Sequence, residues 1–298
     1  MMIFLGWSAD YDKIMVQQLK KKLKVHGVNF PEGRFIFWIN KRTKYFLIKA
    51  FLFVVSRFFP VKAVLVFKDS DGYGYHNCLS LFRQKKVLIV RNVISREDAS
   101  KFLSKFSIVY SFDKEQCEKY GLSYMPQIFP LEDIDGDDLD NENSCYFIGI
   151  DKGRINTIDL VAMALSKYNI QCDFNVLRDR TSREHSKFYI DKGITYQENI
   201  SRAKKQKFIL EINQEGQSGL TLRALESLFF GKKLISNNPD LKDYDFYDES
   251  RIFIFNDLND FETSNFKVFI LSDYKPVQEE LLNNYKASYF FSNVANGY

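Results

Sequence analysis

The chain has 298 residues, 45% hydrophobic and 27% charged, a balance that suits folded domains and excludes a disordered chain. Its net charge of +4 conceals two unlike halves, +12 over residues 1–130 and −8 over residues 131–298. Such asymmetry implies a different partner for each half, and no RNA or DNA motif interleaves the basic residues.

In chain order, short apolar runs alternate with amphipathic stretches. Residues 2–6, 34–39 (RFIFWI), 62–67, 86–90 and 107–112 are predicted strands; 10–25, 43–58, 95–104 and 113–120 are predicted helices. The opening MMIFLGWSADYDK lacks the charged-then-apolar order of a signal peptide. The most apolar run, YFLIKAFLFVVSRFF (45–59), is shorter than the roughly 20 residues a spanning helix needs. It predicts either a core helix or a helix lying on a membrane surface, with Lys41, Arg42, Lys44, Lys49 and Arg57 near the headgroups.

Residues 131–143, LEDIDGDDLDNEN, hold seven acids and predict a linker whose Asp spacing fails the calcium-loop template. The rhythm then restarts, with strands at 144–150, 171–177, 207–212, 232–236 and 251–255. Helices are predicted at 154–168, near 197–205 and after Ser218. Two Rossmann-like α/β domains are therefore expected, 1–130 and 144–298, facing each other across a cleft at the carboxyl ends of their strands. The last helix is assigned to the second domain. Cys78, Cys117, Cys145 and Cys172 form no CxxC pair and the three histidines are dispersed. Reduced thiols in a cytoplasmic protein are expected, and no metal.

Two stretches combine the residue types that phosphate chemistry needs. In QSGLTLRALESLFFGKKLIS (217–236), Ser218 is a candidate N-cap, Gly219 permits close backbone approach, and Gly231 stops the helix. A glycine turn into a helix start offers N–H groups and a positive dipole end to an anion. Glu226, two turns in, could accept from ribose hydroxyls or pair as an exposed residue with Arg223. In YFIGIDKGR (146–154), Lys152 and Arg154 follow a strand and Gly149. They could neutralise a leaving diphosphate or belong to a solvated turn. In the first half, the KDSDG run (68–72) carries a DxD like the metal signature of GT-A enzymes, although the two-domain rhythm does not suit one such domain. Asp71 and Asp113 follow strands and are candidate catalytic acids or bases; Asp113 is also a good helix N-cap.

These motifs carry a resemblance. YFIGIDKGRINTIDLV, and QSGLTLRALE with KKLISNN and YDFYD beyond it, resemble the nucleotide-sugar half of GT-B glycosyltransferases. With VYSFDKEQCEKYGLSYMPQIFP (109–130), they resemble the bacterial enzymes of lipopolysaccharide and capsule clusters over most of 105–255. The resemblance implies that Lys152 and Arg154 bind phosphate, that Gln217, Ser218, Gly219 and Thr221 form the diphosphate turn beside Arg223, and that Glu226 holds the ribose. The retaining pattern's second Glu, eight positions before Glu226, is here Ser218. The implied activity is metal-independent transfer from a nucleotide-sugar co-substrate, with no other cofactor, to an O-antigen, lipopolysaccharide or capsule glycan on a lipid carrier. The protein would lie at the cytoplasmic face of the inner membrane, held by anionic lipid, with no nucleic-acid partner. A GT-B-fold nucleotide-sugar epimerase and a non-catalytic glycan-assembly partner are the alternatives.

Overall fold

The computed structural model describes residues 1–31, 33–71, 73–134, 142–183, 185–214, 217 and 219–297. The chain forms two compact units. One comprises Met1–Pro126, Pro130–Glu132 and Lys286–Tyr298; the other comprises Gln127–Phe129 and Asp133–Tyr285.

The first unit runs β1 (Met2–Leu5), α1 (Asp10–Lys22), β2 (Val25–Val28), α2 (Arg34–Arg42), α3 (Phe46–Ser56), β3 (Val64–Lys68), β4 (Lys85–Val90), α4 (Arg96–Leu103), β5 (Ile108–Ser111), α5 (Lys114–Tyr120) and β6 (Ser123–Tyr124). Its six strands are all parallel, in the order β2-β1-β3-β4-β5-β6. VLVF in β3 and VLIV in β4 are buried throughout, because helices cover both faces of such a sheet. Ile48 and Leu52, one turn apart on α3, enter the same core.

The strand expected at 34–39 is a helix. The edge beside β1 is taken by β2, whose VHGV pairs from Met2↔Val25 to Leu5↔Val28 and begins at the last residue of the helix expected over 10–25. In α2 the helical period turns Ile36 to the core and buries Asn40. The Asn40 side chain donates to Tyr73 O (2.9 Å) and accepts from the Ile48 N–H (3.2 Å). Phe35 and Trp38 are left outside, at 71% and 53% exposure. A short continuous apolar run suits a strand or a helix; here the place beside β1 is taken by β2, and the helix gives Asn40 its partners.

The second unit runs β7 (Glu142–Ile150), α6 (Ile155–Ser166), β8 (Gln171–Leu177), β9 (Tyr189–Ile190), α7 (Tyr196–Lys205), β10 (Gln206–Glu211), α8 (Leu222–Phe229), β11 (Lys233–Ser236), β12 (Ile252–Ile254), α9 (Ser264–Leu271) and α10 (Glu279–Asn283). The sheet is again parallel, in the order β12-β11-β10-β7-β8-β9. The four cysteines are free. Among the described residues no helix is long and apolar enough to cross a membrane.

The last helix, α11 (Ala287–Asn296), belongs to the first unit, not to the second as its place in the chain suggested. Phe291 packs edge-on to Phe4 (4.9 Å between centroids) and Phe290 to Tyr110 (5.2 Å). A buried carboxylate fixes its start. Glu132 accepts from the Ser288 N–H (2.7 Å) and hydroxyl (2.6 Å) and from Lys22 Nζ (3.1 Å). Most of the acidic linker, residues 135–141, lies outside the described residues.

Two predictions follow from this packing. Glu132→Ala should cost about 1–3 kcal/mol, the scale of hydrogen bonds to a charged acceptor. Hydrogen exchange across 287–296 should accelerate; unchanged exchange would mean that the aromatic face alone holds α11. The second concerns Lys233, only 2% exposed, whose Nζ donates to the carbonyls of Phe269 and Ser272 at the end of α9. Burial, with the charge of Lys207 behind it, pulls its pKa down to about 8 from the ordinary 10.5. Between those values the unfolded chain holds a proton that the folded chain has lost, so stability rises with pH across the window. Urea melts at about pH 7.5 and about pH 10 should show that rise in the wild type, and a smaller rise in Lys233→Met.

Candidate functional site

Strand order in the second unit reverses between β7 and β10, so the segments leaving those strands diverge and open a crevice at their carboxyl ends. A cavity of about 190 Å³ lies there. Phe147, Arg154, Glu211, Asn213, Gln217, Thr221 and Arg223 line it. A larger groove of about 820 Å³ runs along α6 and residues 185–188, and none of the predicted donor residues line it.

The turn after β7 is built around Asp151. Its carboxylate accepts from Ser182 and Tyr189 (2.6 Å each) and from the Ile155 N–H (3.0 Å). Burial works against its charge, but these bonds outweigh it and hold the pKa below the ordinary value. Lys152 takes a left-handed φ of 48° and leaves its side chain exposed. Arg154 folds back over the strand end, donating to the carbonyls of Ile150 (2.5 Å), Asp151 (3.1 Å) and Ile212. Gly149 makes room for it, since a Cβ there would meet the guanidinium at 3.1 Å. Arg154 thus ties β7 to the segment after β10, and burial lowers its pKa. Of the two predicted cations, only Arg154 lines the cavity.

The opposite wall begins at Glu211, the last residue of β10, fully buried and missed by the sequence analysis. It accepts from the Ser236 hydroxyl (2.5 Å) at the end of β11 and from the Thr221 hydroxyl. Burial raises its pKa, while those bonds and the charges of Arg223 and Arg154 oppose the shift. Thr221 is the N-cap of α8 and accepts from the N–H groups of Arg223 (3.1 Å) and Ala224 (3.4 Å). The predicted cap, Ser218, lies outside the described residues. Helix α8 starts at Leu222, with the Glu211–Thr221 bond at its first turn.

Gly219 has a φ of 84°, and its carbonyl accepts from buried Asn238 (3.0 Å). The Gln217 carbonyl accepts from Asn213 (3.4 Å). Gly231 ends the helix as expected, at a φ of 64°.

Glu226 is not an exposed helix residue. It is fully buried, ion-paired with Arg223, and accepts from Asn199 Nδ2 (3.0 Å). Burial raises its pKa against the pull of Arg223. Asn199 Oδ1 accepts from Arg223 in turn (2.9 Å), so Glu226 and Asn199 together fix the guanidinium that lines the cavity. Asn199, Asn213 and Asn238 carry no sequence pattern that would have marked them. Glu211 does: a carboxylate closing the apolar strand KFIL.

The candidates of the first unit do not join a common cluster. Asp71 accepts from the N–H groups of Gly74 (2.9 Å), Tyr75 (2.6 Å) and His76 (2.7 Å), which occupies both oxygens in a turn. Asp69, its partner in the DxD, instead accepts from Asn92 (2.8 Å). Buried Asp113 caps α5 through the Gln116 N–H (2.9 Å).

No family model matches the chain, and no curated protein sequence matches it. Among solved structures, an alpha-glucosyltransferase in complex with UDP and a 13-mer DNA containing a HMU base is similar at a TM-score of 0.55 and 13% identity, over 99% of this chain and 98% of its own. The UDP-GlcNAc 2-epimerase of Methanocaldococcus jannaschii, in complex with UDP-GlcNAc and UDP, is similar at a TM-score of 0.50 and 10% identity, over 100% of this chain and 99% of its own. At such identities the likeness is one of fold: two Rossmann-like units in one chain, the GT-B class.

Proposed function

We propose that the protein is a glycosyltransferase that takes its sugar from a nucleotide-sugar and binds the donor's diphosphate at the crevice of the second unit. One observation carries this: Arg154, Arg223 and the Thr221-capped start of α8 converge on one cavity at a strand-order reversal. Such a place offers cations, N–H groups and a helix dipole to an anion. In this reading Arg223 meets the diphosphate, Gln217 to Thr221 form its turn, and exposed Lys152 with Arg154 offsets charge on the leaving group. Glu226 belongs to the ribose side, and it acts on the donor at least through Arg223, which it orients. The two structural neighbours bind UDP or a UDP-sugar by their descriptions, which supports UDP as the first donor nucleotide to try.

We further propose a lipid-linked bacterial surface glycan as acceptor, with the first unit resting on an anionic membrane. Between Glu32 and Asp69 the chain has eight Lys and Arg and no acid. The exposed aromatics of α2 and α3 stand among those cations, with Arg42 5.1 Å from the centre of the Trp38 ring and Arg57 4.5 Å from that of Phe53. Amphipathic helices with aromatic and cationic side chains seat in the headgroup layer. Such a surface favours a transferase with a membrane-bound acceptor over an epimerase acting on a free nucleotide-sugar.

Two measurements test the proposal. Arg223→Met should weaken UDP binding by about 10- to 100-fold in calorimetry, as expected for losing charge-assisted hydrogen bonds. An unchanged affinity in a folded variant would remove the diphosphate from this cavity. The second measurement is flotation. The protein should rise with anionic liposomes, stay behind with neutral ones, and detach at about 0.5 M salt, where the Debye length falls below 5 Å or so. Replacing Lys41, Arg42 and Lys44 by Glu should abolish flotation and leave UDP affinity intact.

A further inference from the structure

The cavity of the second unit holds a carboxylate in the place where an anion would bind. Glu211 lines it together with Arg154 and Arg223, and the charges of both arginines act on Glu211. Those cations are already opposed elsewhere. Glu226 is ion-paired with Arg223, and Asp151 and Asp179 act on Arg154. Lys152, on the same turn as Arg154, is exposed and screened by water. An anion drawn to the two arginines therefore brings a like charge to Glu211, whether or not it touches the carboxylate.

Of the four acids, Glu211 is the one built to give up its charge. Asp151 accepts from a backbone N–H besides its two hydroxyls, and Asp179 is held by Thr181; both keep pKa values below the ordinary one. Glu226 is tied to the Arg223 guanidinium and to Asn199 Nδ2, groups that donate and cannot accept. Both partners of Glu211 are hydroxyls. Ser236 Oγ accepts from the Asn238 N–H (3.0 Å) and has a second lone pair for a carboxyl proton, while Thr221 goes on donating to the other oxygen. Burial already favours the neutral form of Glu211, and the arginines are among the groups that oppose it. We propose that binding of a diphosphate in this cavity is coupled to the uptake of one proton from solvent by Glu211, which is the neutral acid in the occupied site. The coupling is reciprocal, so affinity falls as pH rises between the pKa of Glu211 in the empty site and its higher value in the occupied one. Glu211 is a positioning residue that acts through Arg154 and Arg223. This coupling rests on the reading of the cavity as a diphosphate site.

The test is calorimetry of the full chain with UDP at several pH values, in pairs of phosphate-free buffers that differ in ionisation enthalpy, which counts the protons exchanged on binding. The terminal phosphate of UDP itself titrates at about 6, so Glu211→Gln, which is neutral at every pH, serves as the reference. Relative to that variant, wild-type affinity should fall by about threefold or more between about pH 6.5 and about pH 8.5. At the upper end Glu211→Gln should bind UDP more tightly than the wild type does, whereas loss of a merely structural acid would weaken binding throughout. The proposal is overturned if the two profiles run parallel or if the folded variant binds more weakly at every pH. Should the variant not fold, the wild type decides alone: proton uptake at about pH 7.5, where UDP is almost fully ionised, supports the coupling, and its absence overturns it. UDP that binds without proton uptake sinks the coupling and leaves the donor site standing; UDP that does not bind the wild type sinks both.

Discussion

A carboxylate taken out of water must find donors or cations, and the second unit is arranged around that requirement at Glu211. The end of an apolar strand places it in the core, where its two oxygens collect hydroxyls from Thr221 and Ser236. Those bonds set the first turn of α8 and fasten it to the neighbouring strand. Arg154 and Arg223 supply opposing charge across the cavity. Replacing any one partner would leave a charge that burial makes expensive; two unit charges 4 Å apart interact by about 4 kcal/mol at an effective dielectric near 20.

The same device recurs. Glu226 is buried to hold Arg223, Asp12 to hold Lys68 and Arg91, and Glu132 to hold the start of α11. In the first case the cation, not the acid, lines the cavity. Glu226 was the conspicuous residue in the sequence, yet like Asp12 it keeps a longer cationic side chain in one geometry. Preorganised guanidinium groups lose less freedom when they bind an anion, which is where such burial repays its cost.

The surface of α2 and α3 obeys another constraint. Ile36, Ile48 and Leu52 satisfy the core, and the remaining aromatic side chains have nothing of their own unit to cover them. An exposed Phe58 at 81%, next to Arg57 and with Phe35, Trp38 and Phe46 also exposed, is more apolar area than scattered surface residues explain. The guanidinium groups of Arg42 and Arg57 lie over the rings of Trp38 and Phe53.

The alternation of apolar runs and amphipathic helices sufficed for two parallel α/β sheets, since strands buried on both faces announce themselves in sequences such as VLVF and VLIV. Local chemistry likewise sufficed for the caps at Asp113 and Gly231, which act over a few residues. Three things depended on tertiary structure. VHGV took the sheet edge and left RFIFWI helical, because pairing with β1 is decided by a neighbour distant in sequence. The last helix returned to the first unit because Glu132 and Phe4, more than 150 residues away, complete its packing. The cavity drew Glu211 and Asn213 to its predicted residues, with Asn199 behind Arg223, since strand order alone determines which chain ends converge. A sequence specifies periodicity and caps within a few residues; burial of charge and meeting of strand ends are properties of the folded sheet.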